Sequence, residues 1–199
     1  MRFLYAHGFA SSPQSRKALV FQQAFANHGI TLEIPALDGG DFEHLTISGQ
    51  LSIIRHTLEG EPACLIGSSM GGYLAALYAA THPEVARVVL MAPAFHFAQR
   101  WLEKTPVGEP LDVYHYGEKR NQSVHYHLLE EATEYPAEPD FRQPAMIFHG
   151  IHDDVVPVDY SRQFAAAHLN AELREMDSDH ELLNVLEAIT DQAVPFLIR

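Results

Sequence analysis

The chain has 199 residues, enough to bury a sizeable core in one domain without disulfide or metal staples. Its 47% hydrophobic and 20% charged residues exclude a disordered chain, and a lone cysteine, Cys64, excludes an intrachain disulfide. The formal charge of −13 argues against a nucleic-acid partner, and its field disfavours a strongly anionic substrate. No apolar run reaches the roughly 20 residues of a membrane span, and the start lacks the apolar stretch of about 7–15 residues that marks a secretory signal. The expected location is the cytoplasm, with no membrane partner.

Short apolar runs alternate with longer amphipathic segments along the chain. Strands are expected at Arg2–Ala6, Thr31–Pro35, Ala63–Gly67, Arg87–Met91, Ala145–His149 and Ala171–Met176. Runs such as Cys64-Leu65-Ile66 and Val88-Val89-Leu90-Met91 are continuous, as in parallel strands covered on both faces. Helices are expected at Gln14–Asn27, Ile47–Leu58, Met70–Thr81, Val158–Ala167 and Glu181–Leu197. The pattern predicts an α/β fold: about six mostly parallel strands with helices on both faces. An insertion at about 94–142 breaks the rhythm of the single domain 1–199. It holds a helix near Phe95–Lys104 and two strands, Val113–Tyr116 and Val124–His127, and is expected to form a small cap.

Gly67-Ser68-Ser69-Met70-Gly71 has the pattern G-x-S-x-G between a strand and a helix. That context places Ser69 on a sharp turn with an exposed hydroxyl, and puts the Met70 N–H at a helix N-terminus, where it can donate to an oxyanion. If Ser68 were the nucleophile, Ile66 and Met70 would flank it, and neither is glycine. The loop after the first strand, His7-Gly8-Phe9-Ala10, offers the Phe9 N–H as a second donor. His7 is expected to order this loop.

A serine hydroxyl needs a base, and the base needs an orienting carboxylate. Asp153 and Asp154 both follow the strand ending at His149, and His180 follows the next strand. This gives the chain order Ser, Asp, His. Asp177 and Asp179 are expected to serve the loop.

These anchors resemble those of the α/β-hydrolase superfamily, and within it the small bacterial esterase-like proteins of the YqiA type. His7-Gly8-Phe9-Ala10-Ser11-Ser12-Pro13, Gly67–Tyr73, His149–Pro157 and His180 carry the resemblance. It implies the α/β-hydrolase fold and a serine-hydrolase triad. The pattern H-G-x-x-D-x-x-V-P singles out Asp153 as the acid. One departure lies before His180, where many members have glycine and this chain has Asp177-Ser178-Asp179. The implied reaction is cleavage of a small-molecule acyl ester through an acyl-serine, and the negative surface and apolar, aromatic cap favour a neutral ester over a polyanion. The same triad serves thioesterases, peptidases and C–C hydrolases, and the fold also hosts non-catalytic binding proteins.

Phe95, Phe97 and Trp101 are candidates for lining the substrate pocket or for packing the cap. Among the 13 histidines, His125 and His127 would share one strand face, near His115. No H-E-x-x-H or paired-cysteine motif accompanies them, so neither metal nor cofactor is expected. No sequence pattern specifies an oligomeric state.

Overall fold

The computed structural model describes residues 1–199. In chain order its elements are β1 (Arg2–Ala6), α1 (Arg16–Ala26), α2 (Ile47–Leu58), β2 (Ala63–Ser68), α3 (Met70–Thr81), β3 (Val85–Met91) and α4 (Phe97–Leu102). Then come β4 (Leu111–His115), β5 (Arg120–Val124), α5 (His127–Ala132), β6 (Ala145–Gly150), α6 (Val158–Ala167), β7 (Ala171–Met176), a 3-10 turn at Leu183–Val185, and α7 (Leu186–Leu197). Five strands form one parallel sheet in the order β1-β2-β3-β6-β7, and β4 and β5 form a separate antiparallel hairpin. No helix is long and apolar enough to cross a membrane.

The continuous apolar runs have the meaning expected of them. Along β1, Phe3 and Tyr5 join the core on one face of the sheet, while Leu4 and Ala6 join the core on the other. The first core takes Phe21 and Phe25 of α1 and Ile189, Ala193 and Leu197 of α7. The second takes Ile47 and Ile54 of α2, most of α3, and Phe164 of α6. Each large apolar side chain buried in this way stabilises the fold by about 1.5–3 kcal/mol. α3 is buried from Met70 to Ala79 and shows no polar face, because it lies between the sheet and α2. Ser15 caps α1 by accepting from the Ala18 N–H, and Thr46 caps α2 by accepting from the Gly49 N–H.

Several boundaries differ from expectation. The sheet has five strands, not six. Thr31–Pro35 contributes a single bridge to β1, in which Tyr5 N–H donates to Glu33 O and Glu33 N–H donates to Phe3 O. Pro35 has no N–H with which to extend the pairing. The hairpin strands are displaced toward Leu111–His115 and Arg120–Val124, so the turn takes Tyr116–Lys119. His125 and His127 therefore share no strand: the first follows β5 and the second begins α5. The last helix begins at Leu186 because Glu181 and Leu182 donate their N–H groups to Asp179 in the turn that carries His180.

Candidate active site

Four loops at the C-terminal ends of parallel strands converge, the usual ligand position in such sheets. They follow β1, β2, β6 and β7 and carry Phe9, Ser69, Asp153 and His180.

Ser69 joins β2 directly to α3 with φ +53° and ψ −117°, a strained conformation for a non-glycine residue. Surrounding bonds hold it there: Ser69 N–H donates to Met91 O, and its carbonyl accepts from Tyr73 and Ala94. The two motif glycines are required by close approach. A Cβ on Gly67 would collide with the Gly71 carbonyl, and one on Gly71 with the Ala6 carbonyl. The turn can therefore be tight only because both residues lack side chains.

His180 Nε2 lies 3.0 Å from Ser69 Oγ, and His180 Nδ1 lies 2.7 Å from Asp153 Oδ2. The Asp153 side chain is fully buried, and Oδ1 accepts from the Val155 and Val156 N–H groups at 2.9 and 2.7 Å. Burial works to raise the Asp153 pKa, but hydrogen bonds from His149 and His180, the nearby His180 charge and the Val156 N–H outweigh it. The carboxyl is held well below the usual range. Asp154 instead lines the cavity mouth. The loops of the two partners are locked together: Ile151 and His152 N–H groups donate to Met176 and Ser178 carbonyls, and a Cβ on Gly150 would strike Ser178 and Asp179.

Phe9 and Met70 both line the cavity beside Ser69, and the N–H of neither has a protein acceptor. A Cβ on Gly8 would lie 3.5 Å from Ser69 Cβ, which measures how closely this loop approaches. His7 is buried; its Nε2 accepts from Leu37 N–H at 3.2 Å, which leaves the proton on Nδ1, 3.0 Å from Gly8 O. Burial also lowers its pKa, so the ring orders the loop as a neutral group.

The cavity holds about 790 Å³. Its apolar wall includes Phe9, Met70, Ala94, Phe97 and Trp101. Phe9 meets the Trp101 ring edge-on at 5.7 Å. Phe95, a pocket candidate from its position in the chain, is instead a core residue stacked on Phe164 at 4.6 Å and absent from the cavity wall. The backbone turn at Ala92–Phe95 directs it beneath α6 rather than outward. The hairpin turn reaches the site because Tyr116 N–H donates to Ala10 O.

Two groups of residues escaped the sequence reading. His149 is fully buried, with Nε2 3.1 Å from Asp153 Oδ2 and 2.9 Å from Val156 O. Both are acceptors, so Nε2 carries the proton. Its place at the head of the H-G-x-x-D pattern was the available signal. The second group is cationic: Arg16, Lys17, Arg100, Lys104 and Lys119 all line the cavity. No motif links them.

Glu43, His44 and His125 are the residues that could hold a metal, with one donor atom each within 4.8 Å of the others. All three are exposed and none lines the Ser69 cavity.

Residues 2–197 match the model of a family described as uncharacterised, UPF0227. No curated protein matches the sequence. Among solved structures, Est1E from Butyrivibrio proteoclasticus with bound ferulic acid superposes with a TM-score of 0.85 at 20% identity, over 98% of this chain and 87% of that one. The α/β hydrolase domain-containing protein 10 from mouse gives 0.82 at 18% identity, covering 98% and 88%. A monoacylglycerol lipase from Paleococcus ferrophilus gives 0.77 at 18%, covering 98% and 93%. These likenesses show the α/β-hydrolase fold.

Proposed function

The chain belongs to the uncharacterised protein family UPF0227, and from that premise we propose that it is a serine hydrolase cleaving a carboxylic ester through an acyl-Ser69 intermediate. The observation that carries this reading is His180 bridging Ser69 Oγ and Asp153 Oδ2 at 3.0 and 2.7 Å. A structural relative named a monoacylglycerol lipase supports the choice of ester chemistry.

In this mechanism His180 Nε2 takes the Ser69 proton as Oγ attacks the carbonyl carbon. Asp153 holds the Nδ1–H tautomer and stabilises the imidazolium that forms. The carbonyl oxygen becomes an oxyanion that accepts from the unoccupied N–H groups of Phe9 and Met70; one such donor is typically worth about 10²–10³ in rate. The Met70 donor also sits at the N-terminus of α3, whose dipole favours negative charge. His180 then gives its proton to the departing alkoxide. Water enters, loses a proton to His180, attacks the acyl carbon, and releases the acid with Ser69 Oγ re-protonated.

The test is covalent labelling by a fluorophosphonate, read by intact mass and peptide mapping, with Ser69→Ala as control. A single adduct on Ser69, together with turnover of short p-nitrophenyl esters that the variant lacks, is expected. A folded protein that takes no label and turns over none of a panel of esters, thioesters and amides would overturn the proposal.

A further inference from the structure

The molecule carries 26 carboxylates against 13 lysines and arginines, yet the cavity reverses that balance. Arg16, Lys17, Arg100, Lys104 and Lys119 line it, against two carboxylates, Asp154 and Glu181. Lys17, Lys104 and Lys119 are the only lysines in the chain. They come from three separate places, α1, the segment after α4 and the hairpin turn, so chain proximity does not explain their meeting.

Most of these cations also lack partners. Lys17 lies 3.6 Å from Glu181, which accounts for one pair. Arg16, Arg100, Lys104 and Lys119 have no carboxylate within 4.0 Å. Arg100 is half-buried, and desolvation lowers its pKa. A partly desolvated guanidinium without a carboxylate in direct contact is costly, and an anion in the cavity would offset that cost. The N-terminus of α1 adds to the field: the Arg16 and Lys17 N–H groups are first-turn donors without intrahelical acceptors.

The same cavity also has apolar lining from Phe9, Met70, Phe97 and Trp101, and it contains Ser69. The lining thus offers apolar surface for an acyl chain and cations for multiple negative charges. We infer that the substrate is an acyl ester whose alcohol part carries a phosphate-type polyanion, held by Arg16, Arg100, Lys104 and Lys119 while Ser69 attacks the acyl carbon. This rests on the hydrolase reading above. It also replaces the neutral ester that the overall charge suggests, because low-dielectric walls focus the local field over the long-range one.

The experiment has a binding arm and a kinetic arm. In the first, calorimetry measures binding of inorganic pyrophosphate to the full chain with and without the Arg100→Gln/Lys104→Gln/Lys119→Gln substitutions, each confirmed folded by circular dichroism. One site is expected, weakened tenfold or more by the substitutions and by 0.5 M sodium chloride. No binding at low salt, or binding that the triple variant retains in full, overturns the inference, whatever the catalytic result. In the second, butyryl-glycerol 3-phosphate is compared with butyryl-glycerol, which share the acyl group and the scissile bond. The phosphorylated ester should show at least tenfold higher kcat/KM, and the triple variant should erase the gap. Equal rates for the two esters in the native protein overturn the substrate assignment. Pyrophosphate binding without hydrolysis or fluorophosphonate labelling would sink the hydrolase reading and leave the anion site standing.

Discussion

His149 Nε2 and His180 Nδ1 reach the same oxygen of Asp153, at 3.1 and 2.7 Å. The carboxylate is therefore held by a second, wholly buried histidine, whose far nitrogen meets Ser161 Oγ at 2.7 Å. The Ser161 hydroxyl donates to Nδ1, which keeps the proton on Nε2 and aims it at Asp153 and Val156 O.

His149→Phe should leave Ser161 and the Val156 carbonyl without their buried partner, at a cost of about 1–3 kcal/mol each. Urea denaturation should show a lower midpoint at unchanged slope. Ester turnover should fall about tenfold, well short of the loss in Asp153→Asn, for which about 10⁴ is the expected scale when the wrong histidine tautomer results. An unchanged kcat in a folded His149→Phe protein would remove this histidine from the positioning of Asp153.

Asp153 also makes stability depend on pH. Its folded-state pKa is depressed, so the contribution is present in full above the ordinary Asp value of about 3.9 and is lost as pH falls toward the folded value. The stability difference between native protein and Asp153→Asn should be constant from pH 5 to 7 and shrink below about pH 4. Urea titrations across that range read it directly, and a difference that grows on acidification would contradict the geometry.

Gly71→Ala should be far more damaging than an ordinary glycine-to-alanine change in a helix, which is favourable by about 1 kcal/mol. The new methyl would collide with the Ala6 carbonyl of β1, backbone that cannot swing aside. A loss of 3 kcal/mol or more is expected, seen as a fall in Tm of about 6–12 °C for a domain of this size. Retained Tm would mean that the strand-to-helix turn is looser than described.

Phe95 and Trp101 should separate cleanly. Phe95→Ala empties a core site stacked on Phe164 and should cost about 3–5 kcal/mol in stability. Trp101→Ala removes part of the cavity wall beside Phe9 and should raise KM for apolar esters with a smaller effect on Tm. Parallel thermal melts and steady-state kinetics decide between the two roles.

Much of this arrangement is legible in the linear chain. The strand-to-helix serine turn is local, fixed by Gly67 and Gly71 within five residues, and continuous apolar strands signal burial on both faces. Loop positions follow because each of these loops directly succeeds a strand, which places Ser69 and His180; position leaves Asp153 and Asp154 equivalent, and only the resemblance to the pattern H-G-x-x-D-x-x-V-P separates them. Thr31–Pro35 misled because it has strand-like residues but ends in Pro35, and pairing beyond Glu33 depends on a neighbour's hydrogen bonds. The hairpin shifted because its turn docks on Ala10, a contact across more than a hundred residues.

The sequence by itself determined the layers of the sheet, the strand-to-helix turn at Ser69 and the order of the polar loops, because these depend on local sterics and on hydrophobic periodicity. Only the tertiary structure decided which face Phe95 would take, that His149 would reach Asp153, and that all three lysines would share one cavity. Those outcomes depend on where separate loops meet. Net charge is a sum over the chain, whereas the field a ligand meets depends on distance, so a chain of charge −13 can fold around a positively charged cavity.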